Sequence, residues 1–237
     1  MNYADDTIQA YIQRWWIEHK NNDFRRGRLI HAFLPHVHQV PFTLIPKGRD
    51  EDPTNHTKIR YTMKELKLLE KEDLSTLPAA ALTVPEGEKI LAFRGKMRPA
   101  LIISSGGKDI SRNLIKEKPK WQTAPTILVV PYYGAERSGQ RAGFRKEFVD
   151  RVKKAEYPNF YWDKLPISGE GTEGSICRLD HIFPLGKHHD SVKFTQHCLS
   201  EEAMTIIDEW LHWLIEDIEP SGDLQTVREG LLEIEKL

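Results

Sequence analysis

Cysteine is scarce. Two residues, Cys177 and Cys198, in a chain of 237 exclude a disulfide framework and fit a reducing cytosol, so a cytoplasmic location is expected. Long apolar runs are missing too: no stretch approaches the about eighteen residues a membrane span requires, and no membrane partner is expected. The opening Met1-Asn2-Tyr3-Ala4-Asp5-Asp6 has no basic region followed by an apolar segment, so no secretory signal is expected. The glycine-rich stretch from Ser168 to Gly174 lacks Gly-x-x-x-x-Gly-Lys-[Ser/Thr], which excludes a nucleoside-triphosphate loop of that kind. His36 and His38, at i and i+2, share one side of a strand. No Cys-x-x-Cys and no second spaced histidine pair lies near them, so neither a metal nor another cofactor is expected.

What is present is the composition of a globular protein. Hydrophobic residues make up 39% and charged residues 29%, and the length suits one domain, residues 1–237, carrying a sizeable insert. The net charge of −1 hides an asymmetry: from Leu199 onward there are 11 acidic and 2 basic residues, a net of −9, leaving 24 acidic and 32 basic residues before it, a net of +8. A basic body with an acidic tail fits contact with a polyanion; solvated surface charge is the plainer alternative.

Along the chain, Ile8, Ile12, Trp15 and Trp16 recur at helical spacing, predicting an N-terminal helix within residues 1–22. Its tryptophans would dock on the body or stack nucleic-acid bases. Arg26-Gly27 to Pro35 reads as a glycine-led strand closed by proline. Lys47 to Tyr61 reads as a surface loop, and Thr62-Met63-Lys64-Glu65 matches a capping box opening a short helix with Leu66 and Leu69 on its apolar side. Residues 36–89 thus read as an insert between the first two strands of one sheet, the second beginning near Lys89.

Gly95-Lys96-Met97-Arg98-Pro99-Ala100-Leu101-Ile102-Ile103-Ser104 is the central stretch. Proline restricts its own φ and drives the residue before it into extended geometry, which places Arg98 at the mouth of a buried strand. A guanidinium held there suits a phosphate, being always charged and carrying a planar fork of donors, though it equally suits a surface carboxylate. Thr126 to Tyr133 is β-branched and reads as a strand. Phe144, Phe148 and Val152 stripe a helix whose surface is basic, and the segment from Arg137 to Lys154 followed by Tyr157, Phe160, Tyr161 and Trp162 could form a single-strand binding face; core aromatics on a strand are the alternative. Ser175 to Pro184 reads as one strand. Ser200 caps a helix whose seam is Met204, Ile207, Leu211, Leu214 and Ile218, and residues 219–237 form an acidic amphipathic tail.

With these pieces in order, the chain resembles the PemK/MazF family of toxin ribonucleases from toxin–antitoxin pairs. Arg26-Gly27 with Leu29 to Pro35 is similar to the family's Arg-Gly-Asp strand, and Gly95 to Ser104 to its Gly-x-x-Arg-Pro-x-Leu-Val-Ile strand. Thr126 to Tyr133 is similar to its next strand, Ser175 to Pro184 to its Ser-Val-x-x-Leu-Asp-Gln-Ile-Arg-Thr strand, and Leu199 to Met204 to the start of its final helix. The resemblance implies a mainly β fold with helices (α+β): a small SH3-like β-barrel with a C-terminal helix over residues 24–35 and 90–218, the N-terminal helix and the insert lying outside it. It implies a homodimer with an antitoxin protein as partner, acting as a hydrolase on single-stranded RNA without metal, the ribose 2′-hydroxyl attacking the adjacent phosphate. The family's arginine before proline falls on Arg98. Its threonine is replaced by Tyr133, and its glutamine and arginine in the later strand by His181 and Phe183.

In-line attack requires a base for the 2′-proton, an acid for the leaving oxygen and positive charge on the phosphorane. Arg98 fits the last role. His181 fits proton transfer, because an unperturbed imidazole titrates near neutrality, and the Tyr133 phenol can donate to a non-bridging oxygen. Asp180 should alternate to the opposite strand face from His181. The candidate catalytic set is therefore Arg98, Tyr133 and His181, with Arg94, Lys96, Arg137, Arg141 and Arg178 as substrate-binding cations. The competing expectations are a non-catalytic binder on the same fold, acting on a gyrase-type protein target, and a nucleic-acid-binding regulator whose affinity falls with salt.

Overall fold

A computed structural model describes residues 3–49, 59–67, 87–108, 110–118, 123–137, 142–167, 174–188 and 190–234. It is an α+β structure, mostly antiparallel sheet, with four α-helices among the described residues. After a 3₁₀ turn, Ile8–Tyr11, come β1 (Trp16–Glu18), β2 (Arg28–Pro35), β3 (Phe42–Arg49), β4 (Ile59–Glu65), β5 (Ile90–Ala92) and β6 (Gly95–Ser104). Then follow α1 (Arg112–Ile115), β7 (Thr126–Gly134), α2 (Lys146–Lys153), β8 (Phe160–Asp163), β9 (Ser175–Arg178), β10 (Phe183–Gly186), β11 (Lys193–Leu199), α3 (Glu201–Glu216) and α4 (Asp223–Ile234). Among the described residues, no helix is long and apolar enough to cross a membrane.

The chain divides into two compact units, Met1–Leu34 with Met97–Leu237, and Pro35–Lys96. In the second unit β3 pairs on one edge with β4 and on the other with β5, all antiparallel. Three expectations fail there. Thr62 to Glu65 lies within β4, opposite Ile45 to Phe42 of β3, so the capping-box pattern does not open a helix; a ready ladder partner overrides a local helix signal. The supposed loop from Lys47 to Tyr61 contributes its first residues to β3 and its last to β4, while 50–58 and the expected helical positions beyond Lys67 lie outside the described residues. Ile90–Ala92 joins this three-stranded sheet rather than the sheet of β2.

The first unit is built on one large sheet in the order β1-β11-β2-β6-β7-β9-β8, with β10 also paired to β7. The order is open, since among the described residues β1 and β8 do not pair with each other. β7 is an interior strand between β6 and β9, and its alternating side chains explain why it reads as an unbroken apolar run. Leu128, Val130 and Tyr132 face one core together with Leu101, Leu179 and Leu199. Ile127 and Val129 face another with Ile30, Ala32, Leu34, Ala100 and Ile102. α3 closes the first core through Ile206, Ile207, Trp210 and Trp213, and starts where Ser200 Oγ accepts the Ala203 N–H at 3.1 Å. α4, the expected tail, adds buried Leu224 and Leu231 to the same core.

The predicted N-terminal helix is not formed. The described part of 1–22 is a 3₁₀ turn followed by β1, which pairs Trp16 to Glu18 with Leu199 to His197. The reason is tertiary: Asp163 on β8 holds both indoles, accepting from Trp15 Nε1 at 3.1 Å and Trp16 Nε1 at 3.3 Å, while Ile8 and Trp15 are buried in the core. β11, Lys193–Leu199, has no counterpart in the reading of the sequence.

Candidate active site

Arg98, Tyr133 and His181 come together on one face of the large sheet. β6 and β7 pair with Ala100 opposite Pro131 and Leu101 opposite Val130, and continuing that register sets Arg98 across from Tyr133. Residues directly opposite on antiparallel strands share a face. The guanidinium lies over the phenol ring, its Cζ 4.3 Å from the ring centroid, close enough for a cation–π contact. Tyr133 Oη is 3.0 Å from His181 Nδ1, and the two rings meet edge to face with centroids 5.8 Å apart.

His181 reaches this face because the predicted strand Ser175 to Pro184 is broken. β9 pairs Cys177 with Tyr132, and β10 pairs Phe183 with Val129, so three steps along β7 are matched by six along its partner. The surplus residues form a bulge from Leu179 to Ile182 that turns on the His181 N–H bond to the Arg178 carbonyl, 3.1 Å. Bulges of this kind re-aim side chains. Pro131, which has no N–H to give a ladder, lies between the part of β7 paired with β10 and the part paired with β9.

The bulge also overturns the expectation for Asp180. It does not alternate on a flat strand; its carboxylate accepts both Nε and Nη2 of Arg178, at 2.7 and 2.6 Å. That fork-on-fork pair clamps the two sides of the turn carrying His181. Arg178, expected as a substrate-binding cation, is thereby neutralised, and its guanidinium lies 4.7 Å from the Phe160 ring centroid. Burial raises the pKa of the half-buried Tyr133 phenol, with the positive charges of Arg98 and Arg178 pulling the other way. It stays a neutral phenol at physiological pH, able to donate one hydrogen bond and accept another.

The chain matches no protein-family model, and no curated protein matches it in sequence.

Arg137 is exposed just after β7, and Arg141 lies outside the described residues. Arg94 and Lys96 are exposed in the second unit, where the Arg94 carbonyl accepts the His36 N–H at 2.8 Å. His36 and His38 meet ring to ring at 5.6 Å, and among the described residues no group of three or more His, Cys, Asp and Glu is placed to hold a metal. Two participants were missed in the sequence, the Arg178–Asp180 clamp and the Pro131 gap. The first is invisible until the bulge forms; the second had a signal, a proline inside an otherwise ideal central strand.

Proposed function

We propose that this protein is an endoribonuclease of the PemK/MazF type, built on a variant of that family's SH3-like barrel and cleaving single-stranded RNA without a metal. The observation that carries this reading is the contact series Arg98–Tyr133–His181, in which a fixed cation on β6 and an imidazole from the turn between β9 and β10 are joined by one phenol. The ordered motifs, from Arg26-Gly27 to Ser200, support the family assignment, as does the run of β2, β6, β7 and β9 as neighbours with α3 following the last strand.

The chemistry follows from hydrogen-bond direction. With His181 Nδ1–H donating to Tyr133 Oη, the phenol keeps its own proton for a non-bridging phosphate oxygen and Nε2 carries the lone pair of a base. His181 then takes the 2′-proton as the 2′-oxygen bonds to phosphorus. Arg98 stabilises the extra negative charge of the phosphorane, which in a water-poor site is commonly the largest contribution. The bond to the 5′-oxygen breaks, that oxygen takes a proton from water, and the hydroxide left behind collects the proton held by His181 and restores the base. The products are a 2′,3′-cyclic phosphate and a 5′-hydroxyl.

The test is incubation of the full chain with single-stranded RNA in EDTA, followed by analysis of the product ends. A cyclic phosphate that disappears in Arg98→Ala supports the enzyme; undiminished cleavage in that variant rejects this site. One observation favours the second reading, a non-catalytic binder of a topoisomerase-type protein: the Arg178–Asp180 pair leaves less positive charge around the site than a nuclease would use. Tight protein binding without RNA turnover would decide for it.

A further inference from the structure

The row that carries Tyr133 continues past the reacting groups. Tyr133 is opposite Ile176 on β9, and Ile176 is opposite Trp162 on β8, so all three share one sheet face. Two strand spacings, roughly 10 Å, separate Tyr133 from Trp162. Above Trp162, between α2 and the residues that follow β7, lies a pocket of about 390 Å³, within the range of small-ligand sites. Its apolar lining is Ala135, Phe144, Val149 and Trp162. Phe144 stacks on Phe148, centroids 5.4 Å apart, and Phe148 packs on Phe160 and Tyr157, so the aromatic side of the pocket is braced from behind.

The charges around the pocket argue against a phosphate as occupant. Arg137, Lys146 and Lys153 are offset by Glu136 and Asp150, and Lys153 is already 3.2 Å from Asp6 Oδ2 and 5.2 Å from the Trp162 ring centroid. An aromatic and aliphatic lining with carboxylates beside it suits a flat, apolar-faced ligand bearing N–H donors on its edge. A nucleobase with an exocyclic amino group is such a ligand: its π-face stacks without regard to sequence, while a carboxylate accepts from the amino group.

We propose that this pocket is a base-binding subsite of the nuclease, holding a nucleotide that flanks the scissile phosphate. In it Asp150 selects an amino-bearing base over uracil and Arg137 steadies the backbone entering the pocket. This rests on the RNA-cleaving reading given above. It adds a specificity element that the reacting trio does not contain, on a strand and helix outside that trio.

The experiment uses the full chain and short single-stranded RNAs of mixed sequence in EDTA, with every cut mapped. A parallel measurement follows the binding of the same oligonucleotides made uncleavable by 2′-deoxy substitution. Wild type is expected to favour amino-bearing bases over uracil by about tenfold at one position beside the cut. Asp150→Asn, at a solvent-accessible position, brings that ratio close to one, whereas Arg137→Gln lowers cleavage of every sequence alike, since a backbone contact carries no base preference. If Arg98→Ala abolishes cleavage while Asp150→Asn keeps the wild-type preference, the subsite is overturned and the nuclease stands. If wild type does not cleave at all, the nuclease falls and the binding arm decides. About tenfold weaker binding of the amino-bearing oligonucleotide by Asp150→Asn, with uracil oligonucleotides unchanged, sustains the base site; equal affinities overturn it.

Discussion

Arg98 has an aromatic ring beneath it and a proline behind it, and both limit where its charge can go. Pro99 holds the arginine backbone extended, and the Tyr133 ring, 4.3 Å away, holds the guanidinium. Arg98→Ala is expected to lower RNA cleavage by at least about a hundredfold, the scale of losing one charge-stabilising donor group, measured by single-turnover assays in EDTA. Tyr133→Phe keeps the ring and removes only the hydroxyl 3.0 Å from His181 Nδ1. It should cost about tenfold in kcat, the value of one hydrogen bond, and should move the pH–rate profile, which a packing role alone would leave in place. Arg98 was legible in the sequence because Arg-Pro before four apolar residues dictates its own geometry. Asp180 was not: its role depends on three surplus residues in the strand, and period-2 alternation has no way to register them.

At the scale of elements, the interruption between β9 and β10 matters most to the site. A straight strand would have carried His181 and Asp180 to opposite faces; the bulge instead lets Asp180 tie back to Arg178 while His181 meets Tyr133. Asp180→Ala frees that turn, and the expected outcome is a lower kcat with KM little changed, because the clamp positions the imidazole without gripping RNA; steady-state kinetics check this. α4 illustrates the other side of element-level reading. Its acidic composition gave equal grounds for fraying and for docking, and burial of Leu224 and Leu231 against the α3 core resolves it in favour of docking. Leu231→Ala should therefore destabilise the protein by about 2–5 kcal/mol, measured by urea denaturation, where a frayed tail would show no change.

Over the whole molecule, Asp163 links the beginning of the chain to the sheet. Its carboxylate is fully buried and accepts from Trp15, Trp16, the Tyr3 hydroxyl at 3.0 Å and the Tyr132 hydroxyl at 3.3 Å, with Tyr161 bonded in turn to Tyr132. All of these donors are neutral. Burial pushes its pKa up to about 7 despite the hydrogen bonds from Trp15, Tyr3 and Trp16. A carboxyl whose native pKa is raised favours folding when protonated, so stability should decline as pH rises from about 4 to about 7, by at most about 1.4 kcal/mol per pH unit, and level off above that. Asp163→Asn removes the ionisation, and its melting temperature should lose this dependence when scanned across the same range.

The amino-acid sequence by itself determined the central strands, because burial on both faces requires apolar runs such as Thr126 to Tyr133 and Ala100 to Ile103. It also determined the helix opened by Ser200 and the restricted backbone of Arg98, both of which follow from local chemistry. Tertiary structure alone decided that the N-terminal tryptophans belong to a turn and a strand, that Thr62 to Glu65 pairs instead of coiling, and that His181 faces Tyr133. Each of these depends on a partner far away in the chain: Asp163 for the indoles, β3 for the misread capping box, and β7 for the broken strand. A long-range ladder or a buried carboxylate outweighs a local periodicity worth only tenths of a kcal/mol per residue, and such partners come together only when the chain has folded.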